Sequence, residues 1–321
     1  MELVHKMWGS MSRDPRVLMR AAGMAFLVPL MALLLFVALW AVIAPRIETS
    51  LGAFPGPAQV LEQTHVLWKG HLAERANRDA FYQRQDARNK ERLAEDPSYE
   101  PRHFVYNGKP TYLDQIVTSL VTVFTGFLLA TAIAVPLGIL AGSSRIVQAA
   151  INPIVQILRP VSPLAWLPIV TLIVSAVYVT SGTPMFQKSF LISAITVTLC
   201  SLWTTLINTA IGVTSVDKDL VNVGKVLQLP LMTRVRKIML PSALPYIFTG
   251  MRLSLGVGWM VLIAAEMLAQ NPGLGKFVWD EFQNGSSDSL SRIMVAVLTI
   301  GFIGFALDRM MQMLQTAVEH K

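Results

Sequence analysis

The chain is poor in the residues that carry soluble chemistry. It has 321 residues and one cysteine, Cys200, so no intrachain disulfide is possible and cysteine usage says nothing about redox compartment. Only 15% of residues are Asp, Glu, Lys or Arg, where a soluble globular domain carries about a quarter. No Ser-His-Asp arrangement, metal-spaced Cys or His cluster or pair of carboxylates able to share one site is apparent. His65 and His71 lie six positions apart and fall on different faces of a helix, whereas a metal pair needs a spacing of about three or four. PGLGK resembles a phosphate loop. The full pattern fails, because Gln270 stands at the first glycine and Phe277 follows the lysine, so no nucleotide site is expected and the glycines are read as a turn. These gaps exclude the common catalytic classes.

Hydrophobic residues are abundant, at 53%. Several uncharged runs exceed the roughly 20 residues that cross a hydrocarbon core about 30 Å thick. The class is therefore an all-α polytopic membrane protein. The net charge of +7 is read as a topology signal on short inner loops rather than as nucleic-acid binding.

In chain order, a short basic N-terminus (residues 1–20, with Lys6, Arg13, Arg16 and Arg20) is expected in the cytoplasm. The first span, 21–45, is too long and lacks the small-residue site of a cleaved signal peptide. Residues 46–111 change character. FPGP breaks the chain, and a mixed-charge helical pattern with no continuous apolar face then runs to Pro97. Parity places this insertion outside the membrane, since long loops translocate largely regardless of charge. It is read as mainly structural; a contact for a binding protein or partner subunit is the alternative. The core, 112–313, holds spans at Gln115–Ser144, Pro160–Gln187 (helical from Leu164), Ser189–Val216, Leu244–Leu268 and from Ile293 to Met313. Residues 145–159 form an inner loop, 271–288 an outer loop and 314–321 a cytoplasmic tail. Gly138 and Gly142 have a spacing that lets helices approach closely. Six spans put both termini inside.

Between the fourth and fifth spans lies the polar, basic interval 217–241. Its start, DLVNVGKVLQL, reads as a short amphipathic helix with Leu220, Val223, Leu227 and Val226 on one side. Such a helix either docks onto a partner or lies on its own membrane domain. Within the spans, Thr204, Asn208 and the other polar side chains of the fourth helix either bond to helix carbonyls or line a path. Arg252 and Glu266 are separated by about 21 Å of helix rise and cannot pair. Glu266 is read as structural, because a carboxylate would repel an anion. Arg252 is the candidate for steering or gating.

Residues 217–250 resemble the cytoplasmic loop of ABC importer permeases. That loop reads EAA, three residues, Gly, nine residues, Ile-x-Leu-Pro. Anchored on Ile238, Leu240 and Pro241, the register puts Asn222, Val223 and Gly224 at EAA and Gln228 at the glycine, so only the back half matches. LPYIFTGMRLSLGVGWMVLIAAEML with GLGKFVWD, and INPIVQILRPVSPLAWLPI, are similar to the nitrate, cyanate and bicarbonate branch, with taurine and sulfonate permeases as close relatives. The resemblance covers about 112–312.

The resemblance implies a type I importer permease fold that works as one part of a larger assembly. The other parts are a second permease subunit (a homodimer), ABC ATPase subunits that carry ATP and Mg, and a periplasmic binding protein, all at the inner membrane. This chain itself then binds no cofactor and is not an enzyme. The expected cargo is nitrate or nitrite, with bicarbonate, cyanate and sulfonates after it. An ion-gradient-driven transporter and a membrane-anchored receptor are the readings from other classes.

Overall fold

A computed structural model describes residues 15–49, 52–178 and 186–319. The basic segment 1–14, most of the outer turn at 179–185 and the last two residues of the tail lie outside the described residues. The chain divides into two units, 1–62 and 63–321.

In the first unit, helix α1 (Pro15–Ile43) passes into a short 3-10 turn, Ala44–Arg46. Two strands of two residues follow, β1 (Glu48–Thr49) and β2 (Gly52–Ala53), paired antiparallel. The Trp40 indole N–H donates to the carbonyl of Pro55 at 3.1 Å, fixing the exit of α1. Between Leu27 and Ile43 nearly every side chain of α1 is exposed. A helix apolar on all sides suits a lipid surround, where no face needs covering by water-soluble neighbours.

Helix α2 (Pro57–Glu95) begins in this unit and continues into the second. Then come α3 (Tyr112–Ser143), α4 (Arg145–Leu158), α5 (Pro163–Val177), α6 (Lys188–Thr214), α7 (Lys218–Val226), α8 (Leu231–Arg234), a π-helical turn at Val235–Met239, α9 (Leu240–Ala269), α10 (Leu274–Asn284) and α11 (Ser289–Glu319). Helix α6 is the centre, packed along its length against α3 and α9. Small residues on α3 make this possible: Gly126, Ala130, Ala134 and Gly138 recur every fourth position and are buried. A Cβ at Gly138 would stand 2.6 Å from Thr209 Cβ and 2.8 Å from the Leu206 carbonyl. In lipid, such close approach supplies the van der Waals attraction that holds helices together. The hydroxyls of α6 turn inward: Thr198 Oγ1 donates to Ala194 of its own helix at 2.8 Å and to Gly126 of α3 at 3.1 Å.

Among the described residues the all-α fold has five helices long and apolar enough to cross a membrane, or six when the bent pair α4 and α5 counts as one. That pair corrects the third span. The expected inner loop 145–159 is helix α4, and the two helices meet at 102°. The break is local chemistry. Pro160 and Pro163 cannot continue a helix, and Ser162 Oγ accepts from Leu164 N–H to start α5. At 15 residues, α5 rises only about 22 Å, short of a full crossing. Two further corrections concern loops. The segment expected as an outer loop after Asn271 contains helix α10, and the fifth span begins before Leu244, because α8, the π turn and α9 run on without a loop.

Candidate coupling surface and translocation path

Helix α7 is short and capped at both ends. Asp217 Oδ1 accepts from Asp219 N–H at 2.9 Å, the N-cap bond that its residue type favours. At the other end Gln228 adopts φ 47°, left-handed backbone that favours glycine. This turn lets Leu229 N–H reach back to Gly224 O at 3.0 Å, and Pro230 follows. The loop signature has its glycine at this same position, so the backbone keeps a conformation that the side chain does not favour.

Gly224 is buried, and a Cβ there would stand 2.9 Å from Ile238 Cδ1. Through this approach α7 rests on the π turn. The next residue, Met239, is buried in a cluster with Val213, Ala243 and Ile247, at the junction of α6 and α9. The π turn has a cause: Pro241 has no N–H, and its ring crowds the carbonyl four residues back. Widening the turn, with Leu240 N–H bonding to Val235 O, relieves that crowding. The result is one helical rod from Leu231 to Ala269.

Beside Gly224, the stripe of α7 is uncovered. Leu220 is 49% exposed, Val223 53% and Leu227 62%. Asn222 and Gln228 are also exposed, Ile238 and Leu240 are half-buried, and Pro241 is exposed in the first turn of α9. These side chains form an exposed apolar edge on a polar, basic segment, a candidate interaction surface.

The candidate path residues lie elsewhere. Thr204 and Asn208 are half-buried on α6, with Asn208 Nδ2 donating to the Thr204 carbonyl at 2.8 Å. Asn208 faces α9, where a Cβ at Gly250 would meet its Cβ at 2.7 Å. Arg252 is held by Asp308 of α11: Nε donates to Oδ1 at 2.6 Å and Nη2 to Oδ2 at 2.7 Å. This bidentate pair joins α9 to α11 and went unseen in the sequence, where 56 positions separate the partners.

A buried polar node was also missed. Glu266 is fully buried on α9, and Ser119 Oγ of α3 lies 2.8 Å from both carboxylate oxygens. Gly275 N–H donates to Glu266 Oε2 at 2.9 Å, and Leu274 N–H donates to Ser119 Oγ at 2.9 Å. Glu266 and Ser119 thus cap the first turn of α10 from two other helices, satisfying N–H groups that would otherwise be orphaned in an apolar setting. Asn271, 1% exposed, extends the node to Thr122 at 3.4 Å and to Ser189 of α6 at 3.3 Å. Gly275 is required there, since a Cβ would stand 2.1 Å from Ile263 O. Among the described residues no group of His, Cys, Asp and Glu could hold a metal ion.

Comparison with known proteins agrees with this architecture. Residues 134–320 match the model of the family described as binding-protein-dependent transport system inner membrane component. The nitrate import permease protein NrtB of Synechococcus elongatus is 34% identical over 196 residues, 61% of this chain and 66% of that protein. The bicarbonate transport system permease protein CmpB of Synechocystis sp. is 38% identical over 205 residues, 64% of this chain and 68% of that protein. The chain thus spans about two thirds of the length of these relatives. An inward-facing structure of the MetNI methionine ABC transporter superposes with a TM-score of 0.55 at 16% identity, covering 64% of this chain and 95% of the other, and so shares the fold. The chain belongs to the inner-membrane component family of binding-protein-dependent transport systems, with the fold of ABC importer permeases.

Proposed function

We propose that this chain is the membrane-spanning subunit of an ATP-driven importer of a small inorganic anion, with nitrate or nitrite as cargo. Family membership supports the class. Similarity to NrtB proteins supports the cargo, and similarity of the same order to CmpB proteins makes bicarbonate the second reading. In this proposal the protein sits in a bacterial inner membrane with both termini in the cytoplasm and works beside a second, identical copy. A periplasmic binding protein delivers the anion, and separate ATPase subunits hold ATP and Mg.

The observation that carries the coupling role is α7. Its apolar edge at Leu220, Val223 and Leu227 is uncovered, while Gly224 fixes it against a turn continuous with α9. The ATPase receives that edge. Movement of α7 is passed through Ile238 and Met239 to the α6–α9 junction with no flexible loop between. Thr204 and Asn208 contribute to the path, and Arg252 steers the anion from its place beside Asp308. The test is uptake into proteoliposomes carrying the permease, its ATPase and the binding protein. ATP-dependent accumulation of labelled nitrate supports the reading. Accumulation of bicarbonate with no nitrate uptake replaces the cargo, and accumulation of neither removes it.

A further inference from the structure

The chain returning from α2 to α3 runs antiparallel along α2, tied to it by side chains. Asn89 Nδ2 donates to Arg102 O at 3.1 Å, Phe104 N–H donates to Gln85 Oε1 at 2.7 Å, and Tyr106 OH donates to Glu74 Oε1 at 2.8 Å. Gln85 and Asn89 are buried by this arrangement, at 4% and 9% exposure. Nearer the membrane spans, Arg75 pairs with Asp114 in the first turn of α3. The tip of α2 is therefore a built structure rather than a loose loop.

At this tip a cavity of about 170 Å³ is lined by Arg88, Arg92 and Arg102 around Gln85, Asn89 and Tyr99. Gln85, Arg88, Asn89 and Arg92 share one face of α2 by helical spacing. Tyr99 positions the rim: its ring lies 5.5 Å from the Arg92 guanidinium carbon, and its hydroxyl donates to Asn89 Oδ1 at 3.3 Å. Among the described residues none of these three arginines makes an ion pair. Asp96, the residue after the helix, is engaged by Ser98, whose hydroxyl and N–H both donate to Oδ1. Arg88, Arg92 and Arg102 are exposed at the rim of this small polar hollow, and their combined positive charge would attract an anion seated between them. Arg88 Nε donates to the Arg84 carbonyl at 3.3 Å, which leaves its two Nη groups; with these and the planar forks of Arg92 and Arg102, the hollow suits two-point hydrogen bonding to a flat oxyanion.

We propose that this hollow is a binding site for a small, singly charged oxyanion such as nitrate, bicarbonate or formate. It stands 13 residues beyond Arg75, about 20 Å along the helix, and so is separate from the path residues of α6 and α9. The proposal does not depend on which solute the permease carries.

The test is calorimetric titration of sodium nitrate into the full-length chain in nanodiscs of zwitterionic lipid at low ionic strength. The variants are the pair Arg88→Gln with Arg102→Gln, the milder Arg92→Lys, and Arg84→Gln as a control outside the hollow. The expected result is saturable binding that weakens about tenfold or more in the double variant, weakens less in Arg92→Lys and is unchanged in the control. Formate should compete with nitrate. If the double variant melts early, Arg92→Lys decides the question, since it keeps the charge and removes the fork. Equal affinity in wild type and the double variant overturns the site, and where the double variant melts early, equal affinity in wild type and Arg92→Lys does so. So does an absence of saturable anion binding; if the wild-type chain then binds a secreted solute-binding protein through these arginines, the surface is a protein contact instead.

Discussion

Gly224 packs closely against Ile238: a Cβ on the glycine would stand 2.9 Å from Ile238 Cδ1. This contact sets α7 on the π turn that leads into α9. Replacing Gly224 by leucine should lift α7 off that turn. Transport should fall while the amount of inserted protein stays close to wild type. ATP-driven uptake, normalised to the inserted chain, checks this; normal uptake would show that the contact is dispensable.

Gln228 carries a left-handed backbone at φ 47°. That conformation costs a non-glycine residue roughly 1 kcal/mol. Gln228→Gly should therefore leave α7 intact and raise the local stability of its end by a similar amount, offset in part by the greater freedom of glycine in the unfolded chain. Gln228→Val should do the reverse, because a β-branched residue tolerates this region poorly. Hydrogen exchange at Leu229 N–H, which bonds to Gly224 O, reads both changes.

The node at Glu266 predicts a graded loss of stability. Ser119→Ala removes a donor to the carboxylate and the acceptor for Leu274 N–H. An orphaned buried group costs about 1–3 kcal/mol, so the solubilised protein should melt earlier. Gly275→Ala should melt earlier still, since the new methyl would be 2.1 Å from Ile263 O. The order of the two melting temperatures is the check.

Arg252 and Asp308 allow two roles to be separated. Arg252→Gln should lower transport without loss of assembly. The exchange Arg252→Asp with Asp308→Arg restores the tie between α9 and α11 and moves the cation to the other helix. Recovery of uptake in the exchanged protein assigns Arg252 to joining helices; no recovery, with wild-type stability, assigns it to steering. The pair is half-exposed, so its contribution to stability should be no more than about 1 kcal/mol.

Tyr106 links the returning chain to α2 and gives a pH dependence. Its phenol donates to the Glu74 carboxylate, which holds its pKa above the ordinary tyrosine value. Because the folded value is raised, this contribution is complete below about pH 10 and is lost as pH rises through the folded value. Protease cleavage within 97–110 should increase on that alkaline side. Tyr106→Phe should remove the pH step.

Much of the fold was legible because lipid imposes a simple rule: long uncharged runs must be helices. The rule says little where a helix lies at an angle or is too short to cross. Helix α4 reads as a loop in the sequence because Arg145, Arg159 and the prolines near it bracket an amphipathic segment, not a crossing run. Helix α10 was hidden for a different reason. Its first N–H groups are capped by Ser119 and Glu266 from other helices, so no local capping residue announces it and its glycines look like a turn. The Arg252–Asp308 pair depends on how α9 and α11 align, which neither helix encodes alone. Gln228 was the informative exception: the loop register placed it at a glycine, and the backbone there has the conformation glycine favours.

The most direct measurement concerns the uncovered edge of α7. Leu220→Asp and Leu227→Asp each place a charge where an apolar contact is proposed, at a desolvation cost that such a contact cannot repay. Purified with its ATPase subunits from cells expressing the whole system, the wild-type permease should retain them, and each variant should lose them while remaining inserted and folded. Full retention of the ATPase by both variants would contradict the account.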